Sequence, residues 1–428
     1  MLAQLSRRFN WDKSGRLVGV KDNKRGASSY QYDPRDQVNR ITRQTGLNKQ
    51  SEEQYSYDAL MNLAQSDGRT HRYTNGEIRQ IGRSFYRHDA RGRLVEKRVD
   101  KNGFRPRTWY YRWDDFDRLS ETHTPDGAIW AYTYDAFGRR IKKECVKTGN
   151  TGRKSSVSYL WQGATLAEEH RTAGETTEVS RWHFEPGTFN PLAKETISAA
   201  GKVSFYPIVT DHLGTPKELF DTEGNCVWQA EHSLWGETTV AWQKMQKPDG
   251  LQPLVDCSLR FQNQWEDEET GLFYNLNRYY DPDSGQYLSQ DPIGLEGGLR
   301  IHGYVHDPMQ WVDPLGLAGC VLGQNMHERV IPVARKLGTG YLKVSPSKWT
   351  WRKNEKFLTD NMNDAKAGRG RIYDIGGQRG RYQGPNAIYT REKVVLENNG
   401  FERVYTGKQV TADNGRKFRL YEWKYTGR

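Results

Sequence analysis

An aromatic-x-aromatic-Asp unit returns along the first third of the chain: Phe9-Asn10-Trp11-Asp12, Tyr30-Gln31-Tyr32-Asp33, Tyr55-Ser56-Tyr57-Asp58, Tyr111-Arg112-Trp113-Asp114 and Tyr132-Thr133-Tyr134-Asp135, with Tyr86-Arg87-His88-Asp89 as a weaker copy. Rings two residues apart share one face of a β-strand, whereas a helix would need a spacing of three or four. Asp then begins a turn, Gly takes the positive φ and a short Arg-Leu strand returns, as in Ser14-Gly15-Arg16-Leu17-Val18 and Arg91-Gly92-Arg93-Leu94-Val95. Successive Asp positions are 21, 25, 31, 25 and 21 residues apart, which is one hairpin plus loop per period. Such hairpins are expected to stack edge to edge into one long winding sheet.

Composition agrees with a sheet that packs polar rings. Hydrophobic residues make up only 35% of 428 and mean hydropathy is −0.92, low for a chain built round one large aliphatic core, while 24 Tyr, 14 Trp and 14 Phe can bury a ring face and keep a polar edge bonded. The four cysteines, Cys145, Cys226, Cys257 and Cys320, show no CxxC pair and no neighbouring His cluster, which argues against a zinc site or a disulfide framework. No apolar run approaches the roughly 18 residues of a membrane span, and Met1 to Arg8 lacks a signal-peptide core. The chain is expected to be soluble and, if exported, to travel without a cleaved signal.

The repeat resembles the YD-repeats of the rearrangement-hotspot (Rhs) family, seen also in the shell subunits of insecticidal toxin complexes and in teneurins. Val209-Thr210-Asp211-His212-Leu213-Gly214-Thr215-Pro216-Lys217-Glu218 is similar to the family's core segment, and Asn277 through Leu295, with Arg278-Tyr279-Tyr280-Asp281-Pro282 and Ser289-Gln290-Asp291-Pro292-Ile293-Gly294, to its core terminus. The resemblance covers residues 1 to 317 and implies a mainly β fold, a hairpin shell or cocoon enclosing the segment C-terminal to the core. The chain begins within a repeat, so upstream repeats and a delivery module are expected to be missing. It also carries Asp307 before Pro308 where relatives commonly have Asn; both favour a turn there. The expected domains are a YD-repeat segment over 1–208, the core over 209–317 and a tail over 318–428.

Two Asp-Pro-x-Gly motifs close the core, Asp291-Pro292-Ile293-Gly294 and Asp313-Pro314-Leu315-Gly316. Paired carboxylates sharing a proton can activate a water and protonate a leaving amine, yet the same motif is ordinary turn chemistry, and the residues alone leave both readings open. The resemblance implies the first: Asp291 and Asp313 as an aspartyl pair cutting the Leu317–Ala318 bond. Charge breaks at the same place. Residues 318–428 hold 22 Lys and Arg against 10 Asp and Glu, a net +12, while the whole chain is +11.

The tail is expected to be a small α+β domain, the toxin of an Rhs effector. After a flexible lead-in at Ala318-Gly319-Cys320, helices are expected over Asn325–Leu337, Trp351–Ala367 and from Pro385 to Asn399. A strand is expected over Arg371–Ile375, then a hairpin of Phe401–Thr411 and Arg416–Tyr425 around Asp413-Asn414-Gly415. A net +12 predicts a polyanionic target, with RNA favoured and the interleaved rings available to stack on bases. A metal-independent ribonuclease needs a base and phosphate-binding cations, and the candidates are His327, Arg371, Asp374, Arg379, Arg381, Glu392 and Tyr421. Asp413, Glu422 and Lys424 mimic the triad of a Mg-dependent DNase, Arg371 and Glu392 fit an NAD-using ADP-ribosyltransferase, and a non-catalytic nucleic-acid-binding module is the fourth reading. No cofactor is required by the favoured one. The resemblance further implies an immunity protein, expected to be acidic, secretion-system delivery components, no membrane span, residence in the producer's cytoplasm until secretion, and action in the target cell's cytoplasm.

Overall fold

The computed structural model describes residues 5–45, 49–150, 154–243, 255–294, 300–305 and 307–317, and in the tail only the strands Cys320–Leu322, Ile372–Asp374, Phe401–Thr411 and Lys417–Tyr425. Every element of regular structure among these residues is a β-strand. Twenty-two strands, from β1 (Arg7–Trp11) to β22 (Thr238–Gln243), form one sheet in which each strand pairs with the next in sequence. The ladders are antiparallel, as hairpin connections require.

The turns show why the Asp recurs. In the hairpin of β9 (Ser84–His88) and β10 (Leu94–Lys101), Asp89 Oδ1 accepts the backbone N–H groups of Arg91 (2.9 Å) and Arg93 (3.0 Å), and Oδ2 accepts Arg93 Nε at 2.8 Å. Asp12, Asp114 and Asp135 repeat the arrangement with Arg16, Arg118 and Arg139. One short side chain thus closes the turn and orients the Arg at its far end. The positive φ expected for Gly falls on Gly15, Gly92 and Gly138, but also on Asp36, Met61 and Asp117, where the Asp cap holds a non-glycine residue in the left-handed region.

The chain divides into two compact units. The first comprises Met1–Arg8, Val20–Gln290 and His302–Pro314; the second comprises Phe9–Gly19, Asp291–Ile301 and Leu315–Arg428. In the first unit a second sheet, of β23 (Trp265–Asp267), β24 (Leu272–Asn275), β25 (Arg278–Asp281) and β26 (Gln286–Tyr287), packs on the rings of the large one. Trp182 and Trp265 meet edge to face with centroids 4.9 Å apart. Charge joins the two sheets as well. Arg140, in β14 (Arg140–Lys147), grips Asp267 with both terminal nitrogens at 2.5 and 3.0 Å inside a cage of Tyr132, Tyr159, Tyr274 and Tyr279. Lys143 reaches Asp267 (2.8 Å) and Glu269 (2.9 Å), and Lys97 reaches Asp281 and Asp283 at 3.1 Å each.

In the second unit the tail strands β27 (Cys320–Leu322), β28 (Ile372–Asp374), β29 (Phe401–Thr411) and β30 (Lys417–Tyr425) form a sheet in the order β27-β28-β30-β29. The expected hairpin is present as β29 and β30, and the expected strand at 371–375 is present over three residues. Cys320 corrects the reading of a flexible lead-in, because it begins a strand parallel to β28. The three expected helices lie outside the described residues.

Candidate functional site

The core ends in two turns of like sequence and unlike surroundings. At Asp291, which is buried, the carboxylate Oδ1 accepts the Ile293 N–H at 3.0 Å, the carbonyl accepts the Gly294 N–H at 2.7 Å, and the amide donates to Ile301 O at 2.8 Å. Pro292 fixes φ in this turn and Gly294 takes φ 59°. Asp291 belongs to the second unit and Asp313 to the first.

Asp313 is held by side chains of the small sheet. Tyr287 Oη donates to its Oδ2 at 2.9 Å and Arg278 Nη2 lies 3.4 Å from the same oxygen, with the guanidinium carbon 3.7 Å from the Tyr287 ring centroid. Arg278 has no side-chain exposure and Asp313 has 5%. A buried carboxylate needs such partners, since an unpaired charge there is costly. Burial first, and the Asp313 carboxylate second, hold the Tyr287 phenol far above its ordinary pKa, so it remains a donor. Asn275 Nδ2 donates to Tyr287 Oη (2.7 Å) and to the Asp313 carbonyl (2.8 Å). Asn263 Nδ2 donates to the Pro314 carbonyl at 2.7 Å and to Ala164 O at 3.1 Å, while Asn263 Oδ1 accepts Trp265 Nε1 at 3.3 Å.

Two consecutive carbonyls of the border are therefore clamped by two asparagine amides, and the carboxylate beside them by a tyrosine and an arginine. The backbone supports this at some cost, because Asn263 (φ 59°) and Leu276 (φ 53°) both sit in the left-handed region. A carboxylate so fixed can orient a water or accept its proton, within reach of a backbone that has been immobilised. Asn263, Asn275, Arg278 and Tyr287 were not singled out from sequence. Arg278 and Tyr287 lie inside the core-terminus motif, but their roles arise from folding across 35 and 26 residues.

In the tail, the β28–β30 ladder pairs Asp374 with Tyr421, and Tyr405 of β29 pairs with Tyr421 from the other side. Glu422 pairs with Tyr373 and Val404, and Lys424 with Glu402. His327, Arg371, Arg379, Arg381, Glu392, Asp413 and Ala318 lie outside the described residues. Among the described residues no group of three or more His, Cys, Asp or Glu is placed to hold a metal ion, and no helix is long and apolar enough to cross a membrane.

The sequence matches the family described as Teneurin YD-shell over residues 3–297. The chain belongs to that YD-shell family. Its curated relatives include proteins named as Rhs deoxyribonucleases and as toxins. The probable deoxyribonuclease RhsA of Dickeya dadantii (strain 3937) is 32% identical over 386 residues, covering 89% of this chain and 26% of the relative. The double-stranded DNA deaminase toxin A of Burkholderia cenocepacia (strain H111) is 32% identical over 427 residues, covering 92% and 28%. The YD-shell chain thus spans about a quarter of the length of these curated relatives. The crystal structure of TcdB2-TccC3 aligns with 73% of this chain and 19% of its own, at 17% identity and a TM-score of 0.49.

Proposed function

We propose that this chain is the C-terminal part of an Rhs effector of interbacterial competition, which cuts itself after Leu317 and so frees a basic toxin that acts on nucleic acid. The observation that carries the reading is the buried Asp313 carboxylate, clamped with its own carbonyl and that of Pro314, four residues before the bond at which near-neutral chain gives way to a net +12. In the proposed reaction Asp313 and Asp291 supply the acid and the base. The pair takes a proton from water as its oxygen attacks the Leu317 carbonyl carbon, and returns one to the Ala318 nitrogen as the C–N bond breaks. Asn263, Asn275, Arg278 and Tyr287 act as positioning residues.

The tail's charge supports a polyanionic substrate, and a metal-independent ribonuclease using residues of the His327, Arg371, Asp374, Arg379, Arg381, Glu392 and Tyr421 set is the first reading. A Mg-dependent DNase is the second, favoured by the deoxyribonuclease named among the relatives and by Glu422 and Lys424, two residues apart on β30. Delivery by a secretion machine such as type VI, and neutralisation in the producer by an acidic immunity protein, complete the proposal. The test is to purify the parent beside Asp313→Asn and incubate each with total RNA and with plasmid DNA, with and without EDTA. RNA degraded despite EDTA is the expected result. EDTA-sensitive DNA cutting selects the second reading, and intact nucleic acid in every lane contradicts both.

A further inference from the structure

The wall lysines Lys97 and Lys143 each meet a pair of carboxylates two residues apart in the small sheet, but the two sites differ in one atom. At Lys143 both oxygens of Asp267 are occupied, by Arg140 and by Lys143 itself. At Lys97, Asp281 Oδ1 accepts both Lys97 Nζ (3.1 Å) and the Asp283 N–H (3.3 Å), whereas Oδ2 is buried with no hydrogen-bond partner. Asp281 is 1% exposed, and Tyr86 (5%) and Tyr111 (2%) close the site, with Lys97 Nζ 5.4 Å from the Tyr86 ring centroid. An oxygen bearing charge in such a place, with nothing to bond, is among the costlier features a fold can carry.

Beside this contact stands a second carboxylate. Asp283 Oδ2 lies 3.1 Å from Lys97 Nζ, its Oδ1 lies 3.3 Å from Arg69, and its side chain is 30% exposed, which leaves a route to solvent. The two acids are driven apart. Burial pushes Asp281 toward its neutral form, while Lys97 first, and then Arg69, hold Asp283 ionised. The set is an ammonium held by its two carboxylate neighbours, a buried carboxyl carbon able to act as an acyl electrophile, a donor on the oxygen that stays, a bare oxygen that can leave, and a second carboxylate to carry protons.

We propose that Lys97 and Asp281 become joined by an amide bond, an internal cross-link between β10 and β25. The Lys97 ammonium gives a proton to Asp283, and Nζ attacks Asp281 Cγ. The negative charge that develops on Oδ1 is met by the Asp283 N–H. Asp283 returns that proton to Oδ2 and then carries a second one to it from the nitrogen, the Cγ–Oδ2 bond breaks and one water leaves, so the amide is neutral and the ammonium and carboxylate together have lost a single water. No oxidant or cofactor is needed. Contact between groups 184 residues apart in sequence supplies the effective concentration, about 10⁵ M or more for well-oriented pairs.

The experiment is an intact-mass measurement on the purified full chain, together with Lys97→Arg and Asp281→Ala, and then tryptic peptide sequencing of the parent. Because both residues precede Leu317, the answer is read equally from the whole chain or from a released 1–317 fragment, and does not depend on self-cleavage. The expected result is a parent lighter than its sequence mass by one water, both variants at full mass, and a branched peptide joining Lys97 to Asp281. A parent at full sequence mass shows the contact to be a buried ion pair and overturns the proposal. A one-water deficit that persists in Lys97→Arg places the dehydration elsewhere and overturns it as well.

Discussion

A single Asp per repeat does three things in this chain: it accepts two backbone amides, turns the strand, and aims an arginine. Burial works against ionisation of Asp89 and Asp135, yet the Arg93 and Arg139 guanidinium groups and the turn amides outweigh it and hold both carboxyls below the usual range. The cap is strong enough that Met61 adopts φ 65° where the turns begun by Asp12, Asp89 and Asp135 use Gly. Met61→Gly is therefore expected to stabilise the protein by about 0.5–1 kcal/mol, measured as a higher urea midpoint at unchanged slope. Gly92→Ala should do the reverse, since its Cβ would lie 2.5 Å from Gln290 Nε2 at φ 73°. At the border, Tyr287→Phe removes a donor to Asp313 and the acceptor of Asn275. Self-cleavage in that variant is expected to slow roughly tenfold or more, about 1.4 kcal/mol, while near-UV dichroism of the fold is kept. The turns at Asp291 and Asp313 were legible in sequence because Asp-Pro-x-Gly is local. The residues that hold Asp313 were not, because Asn263 and Asn275 meet the border backbone only after 51 and 38 residues of chain have folded.

Hairpins were the most legible elements, because rings at a spacing of two and an Asp-started turn are properties of a few adjacent residues. The sheet they build, strand after strand, comes from the same repeat. What sequence did not show is how the small sheet is fastened to the large one, since no local pattern marks Arg140, Lys143 and Lys97 as partners of a second sheet. Folded, they are buried against Asp267, Glu269, Asp281 and Asp283. Leaving one member of such a pair alone costs more than the pair contributes. Asp267→Ala is expected to cost about 3–5 kcal/mol in urea unfolding, and adding Arg140→Met to it should restore much of that loss. A loss under about 1 kcal/mol for Asp267→Ala would show that the cage does not depend on the charge.

Across the molecule, buried histidines couple the fold to pH. Burial, with Arg69 nearby, lowers His71 to about 4; burial, with His302 nearby, lowers His88 to about 3; burial lowers His302 to about 4. The unfolded chain takes up these protons near pH 6.5 and the native one does not, so their contribution is complete above that pH and lost as pH falls toward 4 and 3. Glu77, Glu178 and Glu237, raised chiefly by burial, act in the opposite sense. The difference between parent and variant isolates the histidine part: between pH 6.5 and 4, the stability of His88→Phe should fall less steeply than the parent's, by up to about 1.4 kcal/mol per pH unit. The largest division in the molecule remains the one at the end of the core, where a near-neutral YD-shell meets a tail of +12. The most direct test is N-terminal sequencing of any small fragment that appears when the freshly purified parent and Asp313→Asn are run side by side on a denaturing gel. A fragment beginning at Ala318, present in the parent and absent from the variant, is the predicted result; an intact parent, or the same fragment from Asp313→Asn, would contradict it.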